Sequence, residues 1–104
     1  IIIIFIFHDR YNIIIFMINN IKDLKNKIIY RANYRGTKEM DKLLGSFTKK
    51  YIDQFKEEEL KFLCDLLNYD DENLYKLNQG LKLTIEIKHN KVTKLFQDYV
   101  YKVE

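Results

Sequence analysis

A chain of 104 residues with 47% hydrophobic content is long enough for one domain with a modest core and too apolar for a disordered segment. Its 18 Lys/Arg against 15 Asp/Glu leave a net charge of +3, too small by itself to mark a nucleic-acid binder. The single cysteine excludes an internal disulfide framework, and the absence of proline suits helices joined by short corners.

The chain opens on two apolar runs, Ile1 to Phe7 and Ile13 to Phe16, split by His8-Asp9-Arg10-Tyr11-Asn12. Neither approaches the ~18–20 residues that a membrane span needs. A signal peptide would want a basic start and a small-residue cleavage site, and a transit peptide would be rich in arginine. Met17 stands just before Asn19-Asn20 and the first amphipathic pattern. Residues 1–16 are therefore expected to be an over-extended start to a domain spanning 17–104. A native intact mass with an N-terminus upstream of residue 17 would refute this.

From Ile21 the period is helical. Ile21, Leu24, Ile28, Ile29 and Ala32 share one face of a helix ending near Asn33-Tyr34. The next stretch, Tyr34-Arg35-Gly36-Thr37-Lys38-Glu39-Met40-Asp41, organises the whole chain. Gly36 can take a positive φ and leave its backbone bare, Thr37 can cap the following helix, and Glu39 and Asp41 sit in its first turn. On spacing alone this is either good capping or a corner that docks onto another protein.

Met40, Leu43, Leu44, Phe47, Tyr51, Ile52 and Phe55 form the best apolar stripe in the chain and predict a central helix running through Phe55. Gly45 inside it costs about 1 kcal/mol relative to alanine, and a close helix crossing would account for it. Lys56-Glu57-Glu58-Glu59 opens another helix, with Leu60, Leu63, Leu66 and Leu67 on its broad apolar face. Cys64 falls beside them as a packing residue. Asn68-Tyr69-Asp70-Asp71 breaks that helix and starts a short one carrying Leu74, Tyr75 and Leu77, closed by Gln79-Gly80.

Leu81, Leu83, Ile85 and Ile87 alternate with polar residues, a strand pattern with no obvious partner.

The charge is unevenly laid out. Residues 22–50 hold nine Lys/Arg against three Asp/Glu, and residues 51–72 hold two against eight. Such opposite blocks suit a protein partner with complementary patches better than a nucleic acid, whose phosphates the acidic block repels. No phosphate loop, HExxH, paired cysteines or dinucleotide-binding unit is present, and His8 and His89 belong to no metal pattern. Nothing in the residues points to an enzyme.

Arg35-Gly36-x-x-Glu39, followed by Met40-Asp41-Lys42-Leu43-Leu44-Gly45-Ser46-Phe47, resembles the RGxxE signature of the SdhE/Sdh5 family. Residues Glu57 to Leu67 resemble that family's third helix, and Asn68 to Tyr75 its acidic turn into the fourth. The resemblance runs from about Leu24 to Leu77 with the order and separation of the pieces preserved. It implies an all-α bundle of about five helices, with the N-terminal stretch as an extension outside it, and an extended connector over 81–90 leading to a last helix with Val92, Leu95, Phe96, Tyr99 and Val100 on one face. It also implies a bacterial cytoplasmic assembly factor, monomeric when free, that promotes covalent attachment of FAD to the flavoprotein subunit of succinate dehydrogenase or fumarate reductase.

In that family the client's own histidine attacks the 8α carbon of its FAD, so the cofactor is the client's and none is bound stably by the helper. A helper accelerates such a step by holding the near-attack geometry. On this resemblance Arg35 supplies directed donors to the client, Gly36 permits close backbone approach, and Glu39 accepts hydrogen bonds or pairs with a client cation. Asp41 supports the corner, and Tyr34 and Arg31 flank it. Asp70 and Asp71 cap first and contact the partner second. An intramolecular pair of Glu39 with Arg35 or Lys42 is the competing role for that carboxylate. The alternatives are a generic helical interaction module, or a small basic nucleic-acid binder using residues 22–50.

Overall fold

Five helices and no strand form among residues 20–102, the part of the chain that the computed structural model describes. The expected extension over 1–16 lies outside these residues. Helix α1 covers 20–33, α2 Lys38–Tyr51, α3 Glu57–Leu67, α4 Asp71–Gln79 and α5 Lys91–Asp98. A single 3-10 turn, Ile52–Gln54, follows α2.

The start of each later helix satisfies its orphan backbone donors with local polar groups. Thr37 Oγ1 accepts from the Met40 amide at 3.2 Å, as its spacing predicts. The Lys56 amide donates to Glu59 Oε1 at 2.9 Å. Asp70 accepts from the Asn73 amide and side chain, and Asn90 Oδ1 accepts from the amides of Val92 and Thr93. Gly80, at φ +70°, closes α4 in the left-handed conformation, with the Leu81 amide donating back to Lys76 at 2.8 Å.

The core is one cluster. Ile28 and Ala32 of α1, Met40, Leu43, Leu44 and Phe47 of α2, the leucines of α3 and α4, and Val92 and Phe96 of α5 are all buried in it. Phe47 is its aromatic centre, with ring centroids 5.1 Å from Tyr51, 5.1 Å from Phe96 and 5.4 Å from Tyr99. Helix α5 packs on both α3 and α4. Gly45 is buried where α1 crosses α2, and a Cβ there would collide with Asn33 Oδ1. The glycine leaves room for the Asn33 amide, with the Asn33 Cα itself at ordinary contact distance.

Two boundaries differ from the apolar spacing. The central helix stops at Tyr51 rather than Phe55; a 3-10 turn follows, and Phe55 is extended at ψ 136°. Ile52 and Phe55 are buried nonetheless, because the tighter turn and extended residue redirect them into the same core. The last helix stops at Asp98, so Tyr99 and Val100 leave the stripe. Tyr99 at ψ 131° can reach Ser46 Oγ with its hydroxyl at 2.7 Å, and its carbonyl accepts from Asn78 Nδ2 at 2.8 Å. Val100 is left in solvent.

Residues 81–90 are the extended connector. Asn73, 2% exposed, accepts from both the amide and the hydroxyl of Thr84 at 3.0 Å, and Ile87 is buried. Two side-chain hydrogen bonds and one apolar anchor do what a neighbouring strand would do.

Candidate docking corner

The corner between α1 and α2 is held from behind. Arg35 has only 11% of its side chain exposed, and three of its donors go to its own chain. Nε reaches Asp71 Oδ1 at 2.9 Å, Nη1 the Leu67 carbonyl at 2.8 Å and Nη2 the Tyr69 carbonyl at 2.9 Å. Leu67 ends α3, where carbonyls lack helical partners and the helix dipole is negative; Asp71 begins α4, where the dipole is positive. One planar guanidinium therefore joins the end of one helix to the start of the next.

Arg31 reinforces the junction, with Nη2 donating to the Leu67 carbonyl at 3.1 Å and to Asn68 Oδ1 at 2.6 Å. On the other side, the Arg35 amide donates to Asp41 Oδ1. Asp70 is the α4 cap, and its hydrogen bonds from Asn73 hold its carboxyl below the usual aspartate range. The donors that the resemblance assigned to a client are thus engaged within the monomer. Arg31, Arg35 and Asp71 lock 31–35 against 67–71, while Asp41 and Asp70 fix the local turn within each segment.

What faces outward is different. Gly36 has φ +121°, a conformation that L side chains rarely adopt, and open space where a Cβ would stand. Glu39 is exposed on the first turn of α2 and has no hydrogen-bond or ion-pair partner for its carboxylate among the described residues. The intramolecular pairs with Arg35 or Lys42 do not form. Tyr34 is 70% exposed, its ring centroid 4.7 Å from that of Tyr30, itself 66% exposed.

Tyr30 is the residue that apolar spacing passes over. Its one signal is a second tyrosine four positions on, the interval at which helix side chains meet. Glu39 also borders a hollow of about 470 Å³ lined by Met40, Leu43, Tyr75, Tyr99 and Val100, among others. The outward corner is therefore a bare backbone, an unpaired carboxylate and an aromatic ledge on a rigid support. It contains no nucleophile–base pair, and no group of three metal-ligating side chains occurs among the described residues. This geometry can grip and position a surface.

Comparison with known proteins extends the picture over most of the chain. The Sdh5 family, described as flavinator of succinate dehydrogenase, matches residues 26–100. A protein of Wigglesworthia glossinidia brevipalpis named FAD assembly factor SdhE is 35% identical over 75 residues, covering 71% of this chain and 86% of the relative. Succinate dehydrogenase assembly factor 2-B, mitochondrial, of Drosophila mojavensis is 30% identical over 82 residues, covering 77% of this chain and 52% of the relative. The assembly factor 2 of Debaryomyces hansenii, also mitochondrial, is 33% identical over 76 residues, covering 69% and 54%. The chain thus spans most of the bacterial relative and about half the length of the two mitochondrial ones. No solved structure matches it.

Proposed function

The chain belongs to the Sdh5 family of succinate dehydrogenase flavinators, and on that premise we propose that its 34–39 corner docks onto the flavoprotein subunit and promotes covalent attachment of FAD there. The family consists of assembly factors rather than catalytic enzymes, and the role it supports is in flavinylation of succinate dehydrogenase. In this reading FAD is the client's cofactor throughout, and the encounter takes place in the cytoplasm. Among the described residues no helix is long and apolar enough to cross a membrane.

The observation that carries the docking is Gly36. Its positive φ and the open space beside it leave a main-chain segment that another backbone can approach closely. Behind it, the Arg35 junction keeps the approach geometry fixed, so little ordering is needed when the partner arrives. Arg35 acts here as a positioning residue; Glu39 and Tyr34 make the contacts. A client held with its histidine in line with the flavin methyl group gains a near-attack arrangement, worth several kcal/mol at most sites of this kind, on the order of 10²- to 10⁴-fold in rate.

The test is in-gel flavin fluorescence of the denatured client, made with and without this protein. The double variant Tyr34→Ala/Glu39→Arg breaks no bond to another helix, so its stability should stay within about 0.5–1 kcal/mol of the parent. Covalent flavin in the client should fall about tenfold or more. Normal flavinylation by that folded variant would sink the docking reading. Bulky replacements of Gly36 should abolish flavinylation too. They also impose backbone strain of about 1–3 kcal/mol, so each is read beside its own melting curve.

A further inference from the structure

The lysines of this fold are not treated alike. Every lysine within α3, α4 and α5 faces a carboxylate: Lys61 with Glu57, Lys76 with Glu72, Lys91 with Glu59 and Lys94 with Asp98. Helix α2 carries four lysines, Lys38, Lys42, Lys49 and Lys50, and none has an acidic partner among the described residues. Lys42, Ser46 and Lys50 follow one another at intervals of four, so they form a single stripe along the helix. The residues after α5 run beside that stripe. Tyr99, Val100, Tyr101 and Lys102 make the facing wall of a groove of about 620 Å³ whose lining, among the described residues, holds no carboxylate.

The groove is built on fixed parts. Lys50 Nζ lies 5.3 Å from the Tyr51 ring centroid and 5.7 Å from that of Tyr99, within the range of a cation–π contact. Tyr99 is held in turn by its hydroxyl on Ser46 and its ring against Phe47. Asp41 lines an adjoining hollow with Lys42 and Lys49 and already accepts from the Arg35 amide, and Asp53, three residues beyond Lys50, pairs with Lys25. Among the described residues, positive charge is concentrated there without an ion-pair partner for Lys42 or Lys50.

We propose that this groove binds an acidic, extended segment of a partner protein. Lys42 and Lys50 are separated by eight residues of helix, about 12 Å. Carboxylates four residues apart in an extended chain lie about 13 Å apart on the same side, so an acid-x-x-x-acid segment meets both ammonium groups. A compact anion such as phosphate reaches one of them at a time. A single-stranded nucleic acid needs open aromatic faces for stacking, and both Tyr99 and Tyr101 are half-buried. The inference does not depend on which protein presents the segment, nor on the docking corner being correct.

The experiment uses the full chain and a fluorescein-labelled nonapeptide with glutamate at its first, fifth and ninth positions in a Ser/Thr background, read by fluorescence anisotropy. Binding should weaken as salt rises. Lys42→Glu/Lys50→Glu should lower affinity about tenfold or more. Lys22→Glu/Lys27→Glu, the same charge change on exposed positions of α1, should lower it less than about threefold. Lys42→Gln/Lys50→Gln, which only neutralises the stripe, gives a smaller loss in the same direction and serves if the reversed pair does not fold. Equal losses from the α1 and α2 pairs would overturn the proposal in favour of a general positive field. So would tighter binding of an oligothymidylate than of the peptide, displacement of the peptide by millimolar inorganic phosphate, or no binding at all.

Discussion

The Leu67 carbonyl accepts from Arg35 and from Arg31, and the Tyr69 carbonyl from Arg35. Replacing Arg35 by alanine leaves Leu67 with one donor, Tyr69 with none, and Asp71 without its cation at a site where that carboxylate is mostly covered. Equilibrium urea unfolding of Arg35→Ala should show a loss of about 2–4 kcal/mol, the range for an unpaired, partly buried polar set. Arg35→Lys should recover only part, because an ammonium on a flexible stem cannot serve Asp71 and two carbonyls in one plane. A loss under about 0.5 kcal/mol for the alanine variant would mean that the junction carries little of the fold. The corner was legible as a corner, since Gly36, Thr37 and Asp41 act on near neighbours. The direction of the guanidinium was not, because its acceptors lie more than thirty residues away and become neighbours only when α3 and α4 are in place.

At the scale of elements, helix starts were easier to read than helix ends. Capping groups such as Thr37 and Asp70 announce themselves within three residues, whereas Tyr51 and Asp98 end their helices because of contacts made elsewhere. The alternation from Leu81 to Ile87 imitates a strand, yet the polar partner of this segment is a side chain on α4. Asn73→Ala should therefore do more than weaken a cap. It leaves the Thr84 amide without its acceptor, so hydrogen exchange at Thr84 should quicken well beyond the loss of global stability, itself about 2–3 kcal/mol. Unchanged protection at Thr84 would show that Ile87 and the Lys88 amide on the Tyr69 hydroxyl anchor the connector without it. The α1–α2 crossing gives a second test. In Gly45→Ala the helix-propensity gain of about 1 kcal/mol opposes the cost of displacing the exposed Asn33 amide, so the net change should stay within about 1 kcal/mol, and a double-mutant cycle with Asn33→Ala measures the coupling directly.

For the whole molecule, the acid limb of stability follows from how α3, α4 and α5 are joined. Glu59 accepts from Lys91 at 2.7 Å and from the Lys56 amide, so it ties the start of α5 to the start of α3, and these bonds hold its carboxyl below the ordinary glutamate value of 4.5. Asp70, capped by Asn73, is likewise held below the ordinary aspartate value of 3.8. Below these values the unfolded chain binds protons that the folded chain resists. The stabilisation from both groups is therefore complete above about pH 5 and fades as pH falls through each folded value. Chemical unfolding at a series of pH values should show a level region above pH 5 and a decline beneath it. Glu59→Gln and Asp70→Asn should each lower the level region and flatten the decline, with the amide of Asp70→Asn able to keep part of the cap. Asp70 is exposed, and Glu59, with only 13% of its side chain exposed, pairs with an exposed Lys91, so the slopes should be shallow and, for the Lys91 pair, shallower still at high salt. A decline of unchanged steepness in the double variant would assign the acid limb to other carboxylates.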